Sequence, residues 1–361
     1  MAYTTIDDPS AYFQTTLWTG DGANSHVITN SGNSDLQADL IWIKQRDATR
    51  DHHFFDVIRG VTKYLEPNTT VAEETGSTTL LAFGSDGFTV GSGGRVNANT
   101  KTYVAWNWKA GTAFSNDASA TGIGSIDSAG SVNTTAGFSI VTYTGTGGNE
   151  TVKHGLSTTL DMLLVKNRDS AKDWRMWFKG FSGTERLELN NTEAKATTNT
   201  SWNGTIPGSS VFNLGGDNNT NNNTDPYVAY CFHSVKGYSK FGTYSGSNST
   251  SGPFIHTGFK PAWIMVKRID SEDTATNMNG SHWVIIDNKR DPINDSGTAA
   301  ALTANRSDAE DTSNLTHVEF VSNGFKFRGG ADAVNDTGTY IYMSFAASPF
   351  VTSKGVPTTA R

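Results

Sequence analysis

Cleavage of a glycosidic bond on a β scaffold takes two carboxylates roughly 5 to 10 Å apart in a groove, and the chain offers two pairs by spacing. Glu185 and Glu188 stand three apart in ERLELN, and an odd spacing on a strand sends side chains to opposite faces. Glu188 instead shares a face with Arg186, which reads as a surface ion pair. Asp308 and Glu310 have an even spacing but lie in the polar stretch RSDAEDTSN, outside any strand pattern. Both pairs are expected as solvated acids, and no catalytic residue is assigned. His52 and His53 are adjacent, so on a strand they diverge and do not share an ion. His154 and His256 precede lysine-bearing strands at similar offsets, as turn residues would. With Cys231 as the only cysteine, neither a disulfide nor a structural zinc site is expected. The strings GTGGN, GSGGR and SGTER lack the strand-to-helix setting of a serine nucleophile. The loop Gly215 to Asp225 (GGDNNTNNNTD) has oxygen side chains at the short intervals Ca²⁺ wants, but only two acids, so a plain solvated loop is expected and no metal or cofactor is assigned. Sugar recognition needs an aromatic platform beside amide or acid groups. Trp174, Trp177, Trp202 and Asn203 are the richest such cluster, with Trp202 in TSWNGT as its exposed member.

These residues sit on a repeated framework. A buried-strand run ending in lysine occurs three times, as DLIWIKQRD from Asp39, DMLLVKNRD from Asp161 and AWIMVKRID from Ala262. Each is followed by an aromatic run, YVAWNW from Tyr103, YVAYCF from Tyr227 and YIYMSF from Tyr340. Each copy opens on an aromatic strand ending in glycine (Phe13 to Gly20, Phe138 to Gly145, Tyr238 to Gly246) and carries an asparagine after a short apolar step: Asn68, Asn190 and Asn305. A period near one hundred residues is longer than a solenoid unit, which predicts a separately cored domain for each copy. Both faces of the lysine strand are apolar, as in a strand covered on both sides. Lys44, Lys166 and Lys267 are expected to lay their methylenes on the core and reach Asp47, Asp169 and Asp270.

The remaining segments alternate β-branched and aromatic residues between Gly, Asn, Asp and Ser, and none makes a convincing amphipathic helix. The predicted fold is all-β, with three tandem antiparallel β-sandwich domains. Residues 12–111, 137–236 and 237–350 form the modules. The Ser/Gly/Thr-rich stretch 112–136 reads as a flexible or hairpin-like connector that lets the first module swing, whereas modules two and three leave no slack. Residues 1–11 and 351–361 are a terminal arm and tail, candidates for docking on partners. The chain has 17% charged residues, 37 glycines and a formal charge of −7. No Lys/Arg run exceeds two residues, which argues against nucleic acid as a partner. No apolar stretch reaches a membrane span, and the start lacks a signal-peptide pattern, so neither membrane insertion nor ordinary secretion is expected. A chain folded in the cytoplasm and released by lysis fits this composition.

The strings AGFSIVTYTG, LLVKNRDSAKDW, SVFNLGG, YVAYCFHSVKGYSKFGTYSG, TGFKPAWIMVKR, SNGFKF and TYIYMSFAASPF resemble modules that recur in phage virion and tail-fibre-type proteins, notably of marine phages. The opening MAYTTIDDPSAYFQTTLWTGDG is similar to the start of such proteins. The resemblance spans nearly the whole chain. It implies a concanavalin-A-like, jelly-roll lectin sandwich and a virion location. The expected function is a non-enzymatic fibre- or decoration-like appendage, homo-oligomeric, bound to other virion proteins and touching host-surface glycans. A purely assembly role and, behind it, glycan degradation are the alternatives.

Overall fold

A computed structural model describes residues 3–276, 280–291, 300–312 and 317–358. The first repeat comprises β1 (Phe13–Thr19), β2 (His26–Thr29), β3 (Leu40–Gln45), β4 (His53–Asp56), β5 (Lys63–Tyr64), β6 (Glu74–Thr75), β7 (Leu80–Gly84), β8 (Gly87–Val90) and β9 (Thr102–Trp108). The stretch after it forms β10 (Thr112–Asn116) and β11 (Ser128–Asn133). The second repeat has β12 (Phe138–Thr144), β13 (Glu150–Lys153), β14 (Met162–Asn167), β15 (Arg175–Phe178), β16 (Glu185–Glu188), β17 (Ala196–Thr197), β18 (Val211–Leu214) and β19 (Pro226–Phe232). The third has β20 (Ser239–Ser245), β21 (Phe254–His256), β22 (Phe259–Arg268), β23 (Val284–Asp287), β24 (Ala301–Thr303), β25 (Val318–Val321), β26 (Gly324–Phe327) and β27 (Thr339–Pro349). The fold is all-β, as the alternation predicts. Among the described residues the helical elements are single turns of three or four residues.

One strand order appears three times. The opening strand pairs with the closing strand, which pairs with the lysine strand and then the next one: β1-β9-β3-β4, β12-β19-β14-β15 and β20-β27-β22-β23. All these neighbours are antiparallel. A smaller sheet accompanies each: β2-β8-β7, β13-β18 and β21-β26-β25. Equivalent landmarks make equivalent contacts. Asn97, Asn221 and Asn335 each accept a backbone N–H, from Asp21, Thr146 and Ser247, and each donates to carbonyls of the loop after the opening strand (Ala23, Gly148, Ser249). The glycine ending that strand is required: a Cβ on Gly20, Gly145 or Gly246 would come within 2.2, 2.1 or 1.9 Å of a carbonyl oxygen of Ala98, Asn222 or Asp336.

The lysine strands are apolar on both faces because each face has its own partner. In the first repeat Ile41 and Ile43 pack with Phe88, Val90 and Tyr103 against the small sheet, and in the third Ile264 and Val266 pack with Phe325 and Phe327. The other face carries Leu40 and Trp42, Met162 and Leu164, Trp263 and Met265, and these meet in one cluster shared by all three repeats. Trp108 lies 5.7 Å from Trp263 and 5.6 Å from Phe345, while Phe54 lies 5.5 Å from Tyr230, ring centre to ring centre. The cluster closes around a void of about 20 Å³ lined by residues of all three repeats. The expectation of separately cored beads is therefore corrected: the repeats bury their large sheets against one another.

Of the two readings of the connector, the hairpin-like one holds and the flexible one is corrected. β10 and β11 form a hairpin that extends the second large sheet, with β11 paired to β12 from Ser128↔Tyr143 to Asn133↔Phe138. A low-apolar segment is enough for this, because adding an edge strand needs backbone groups and small side chains more than a greasy face. The first repeat, held by the shared cluster, does not swing. The terminal segments lie on the chain itself: Tyr3 Oη donates to Gly258 O at 2.6 Å, Thr4 Oγ1 to Lys236 O at 2.8 Å, and Ser353 N to Asp7 at 2.6 Å. Ile6 is buried. Residues 353–357 are nonetheless exposed, and residues 1–2 and 359–361 lie outside the described residues.

Candidate functional site

Trp174, two of the lysines and the asparagine landmarks meet at the three seams between repeats. The seams use the same atoms in cyclic order. His52, Trp174 and Trp283 are equivalent positions at the start of the fourth strand. Trp174 Nε1 donates to Glu66 O of the first repeat at 3.0 Å, and Trp283 Nε1 to Glu188 O of the second at 2.9 Å. His52 Nε2 lies 3.1 Å from Thr303 O of the third. Each repeat thus grips the one before it, and the first grips the third, which closes a ring. The asparagine landmarks set these grips. Asn68, Asn190 and Asn305 accept the backbone N–H of His52, Trp174 and Trp283 at 2.9, 2.8 and 3.0 Å.

The backbone repeats the pattern one step along. Glu73 N donates to Arg168 O, Lys195 N to Ile269 O and Glu310 N to Arg46 O, at 2.7, 2.8 and 2.7 Å. Side chains then distinguish the seams. Arg168 is bidentate on Glu73 at 2.9 Å, and Arg46 on Glu310 at 2.9 and 2.8 Å. Arg59 and Arg290 join these acids to Asp56 and Asp287, each at 2.6 Å from its aspartate. Tyr230 Oη and Trp106 Nε1 of the neighbouring repeats complete them, donating to Asp56 and Asp287 at 2.7 and 3.0 Å. Although burial pushes the Glu73 carboxyl up, Arg168 and Arg59 hold it below the usual range. The seam between the second and third repeats has Phe178, Phe181 and Ile269 at the matching positions, with Phe178 6.3 Å from Phe241. Two seams are ionic and one is apolar.

The lysines lie here too, without the expected acids. Lys166 Nζ donates to Thr70 O across a seam at 3.0 Å, Lys267 Nζ to Thr192 O across another at 3.1 Å, and Lys44 Nζ to Gln45 O at 2.5 Å. All three are fully enclosed. The pairing with Asp47, Asp169 and Asp270 is corrected: Asp47 faces Lys101 at 3.8 Å, Asp270 faces Arg268 at 3.0 Å, and Asp169 is near no ammonium among the described residues. Burial pulls the Lys44 ammonium down to about 8, and those of Lys166 and Lys267 to about 7.

The aromatic platform is also corrected. Trp174, Trp177 and Trp202 are 0, 4 and 1% exposed, and the indoles of Trp177 and Trp202 donate to the carbonyls of Ser182 and Glu185, both at 3.2 Å. Asn203 is exposed in a left-handed turn (φ 50°) with no tryptophan face beside it to the solvent. Trp202 sits among polar neighbours in sequence because its flanking turn, not its ring, meets water.

The acids are paired with protein cations, with Asp308 exposed as a surface acid is expected to be. Glu188 is buried and bound by Arg175, Arg186 and Asn191, so its pairing with Arg186 holds while its surface placement does not. Glu185 faces Lys195 at 2.5 Å, Asp308 faces Arg306, and Glu310 is clamped as above. In the 215–225 loop Asp217 accepts from Asn219 and lies 3.2 Å from Arg175, and Asp225 accepts from Asn167 at 2.7 Å. These acids are engaged by protein donors. His53 is buried with its imidazole pushed down to about 3 by burial. The seam arginines were missed by sequence reasoning. Their signal was the Asp-x-x-Arg spacing shared by DVIR and DNKR, present in two copies only.

A family model for a domain of unknown function, DUF7483, matches residues 8–349. The chain belongs to the DUF7483 family. That one model runs from the arm before β1 to the end of β27, so the family unit is the closed ring of three repeats. No curated protein matches the chain.

Proposed function

We propose that this DUF7483 protein is a non-enzymatic structural component of a virion, a short fibre- or decoration-like appendage whose work is to bind other virion proteins. The observation that carries this reading is the closed ring: arginines of neighbouring repeats neutralise Glu73 and Glu310, carbonyls across the seams hold Lys166 and Lys267, and Glu188 and Lys44 are engaged within their own repeats. A site for hydrolysis keeps acids available to substrate, whereas a block that must hold its shape in an assembly engages them. The resemblance to phage virion modules gives the setting. The assembly form of the reading is favoured over glycan contact because the tryptophans offered for sugar stacking are interior.

Quantitative mass spectrometry of gradient-purified particles of the encoding virus tests this. The chain is expected at a fixed multi-copy stoichiometry per particle. Its presence in the lysate but not in washed particles would sink the proposal.

A further inference from the structure

The third copy departs from the other two where its lysine strand begins. The residue just before Leu40, Met162 and Trp263 is Asp39, Asp161 and Ala262 in turn, and its carbonyl accepts the equivalent N–H in every copy, from Val57, Lys179 and Asn288. Both aspartates bind the chain that follows the closing strand. Asp39 accepts the N–H groups of Ala110 and Gly111 at 2.8 and 2.6 Å, while Asp161 accepts that of Ser234 at 2.7 Å and lies 3.5 Å from Lys179 Nζ. Ala262 brings no carboxylate. The counterpart of Ala110 and Ser234 is Ala347, because Lys109, His233 and Ala346 just before them each donate to the residue ahead of the opening strand. The register of β22 on β27 steps over both Ala262 and Ala347.

A second truncation lies beside the first. Opposite Trp106, Tyr230 and Met343 on the closing strands stand Thr15, Ile140 and Phe241. Ile140 and Phe241 fill their places in the shared cluster, whereas Thr15 is short, and its buried hydroxyl has no hydrogen-bond partner among the described residues. A cleft of about 210 Å³ opens here between the first and third repeats, lined by Thr15, Ala262, Asn288 and Ala347. Asn288 is the counterpart of Lys179, and the cation has moved one residue on. Lys289 Nζ donates to Ser31 Oγ of the first repeat at 3.4 Å, and Lys289 is the one ionisable side chain among the described residues lining the cleft.

We propose that this cleft binds a carboxylate, held by the Lys289 ammonium beside Ala262 and Ala347, where Asp39 and Asp161 supply the chain's own carboxylate in the other two copies. A lining with one ammonium and neutral hydroxyl, amide and methyl groups selects an anion, and a carboxylate on an ammonium makes a charge-assisted hydrogen bond. The carboxylate belongs to a free small acid or to an Asp or Glu side chain of another polypeptide. The site goes beyond the assembly reading and does not depend on it.

Amide chemical-shift titration of the full chain with glutarate and with N-acetyl-aspartate N-methylamide tests the site and separates the two sources, with acetamide as the uncharged control. Saturable shifts are expected at Ala262, Lys289 and Ala347 with a carboxylate and none with acetamide. Saturation by glutarate alone assigns a free acid; saturation by the aspartyl amide assigns a side chain. Lys289→Met, a change at an exposed position, should weaken binding at least about tenfold, as loss of a charge-assisted hydrogen bond does. Ala262→Asp, which restores the aspartate of the other copies, should abolish it. The assignment is overturned if neither acid saturates these amides at tens of millimolar, if acetamide shifts them equally, or if either variant binds as the native chain does.

Discussion

At the residue scale, the buried lysines show how far a side chain can depart from its usual setting when its ammonium meets only carbonyls. Each ammonium is held down in pKa by burial, Lys44 to about 8 and the other two to about 7, against an ordinary value near 10.4. Between those values the unfolded chain keeps protons that the folded chain has released, so stability rises with pH across roughly pH 7 to 10. The slope is at most about 1.4 kcal/mol per pH unit for each lysine. Chemical denaturation from pH 7 to 9 should show that rise, and Lys166→Met with Lys267→Met should flatten it. A stability that falls with pH across this range in the native chain would contradict the assignment. The indole grips make a second prediction. Trp174→Phe keeps the ring but leaves Glu66 O without its donor, which should cost about 1–3 kcal/mol. The lysines were legible as repeated and core-covering, but the seam partners of Lys166 and Lys267 were not, because carbonyls from another repeat leave no trace in local spacing.

At the scale of elements, ladders and seams divide the labour. The glycine that ends each opening strand is forced by a carbonyl from the turn before the closing strand. Gly145→Ala should destabilise by about 1–3 kcal/mol, measured by thermal shift, with Gly94→Ala, which meets nothing within 4 Å, as the near-neutral control. The two ionic seams respond differently from the apolar one. Glu73→Gln leaves Arg59 and Arg168 short of their shared acid and should cost about 3–5 kcal/mol, as breaking a buried pair does. Repeated strands, glycines and asparagines were all visible in sequence because local sterics and hydrogen bonds demand them in every copy. The hairpin 112–133 was only half visible: its Ser/Gly/Thr composition fits a linker as well as an edge strand, and the strand it pairs with decides between them.

At the scale of the whole molecule, three repeats of one strand order make a single body. Apolar faces on both sides of the lysine strand signalled cover on both sides, and that held. Sequence could not say that the second cover is the other two repeats, because an inward tryptophan such as Trp42 looks the same whether its neighbour is its own second sheet or Trp106 and, beyond it, Trp263. The merger accounts for a family unit that spans all three copies.

The shared interior is tested most directly by native-state hydrogen exchange of β3, β14 and β22 in the chain carrying Met265→Ala, a cavity made in the third repeat. The account predicts that all three strands lose protection together, by the roughly 2–5 kcal/mol such a truncation costs. Loss confined to β22, with β3 and β14 unmoved, would show three separate cores and contradict it.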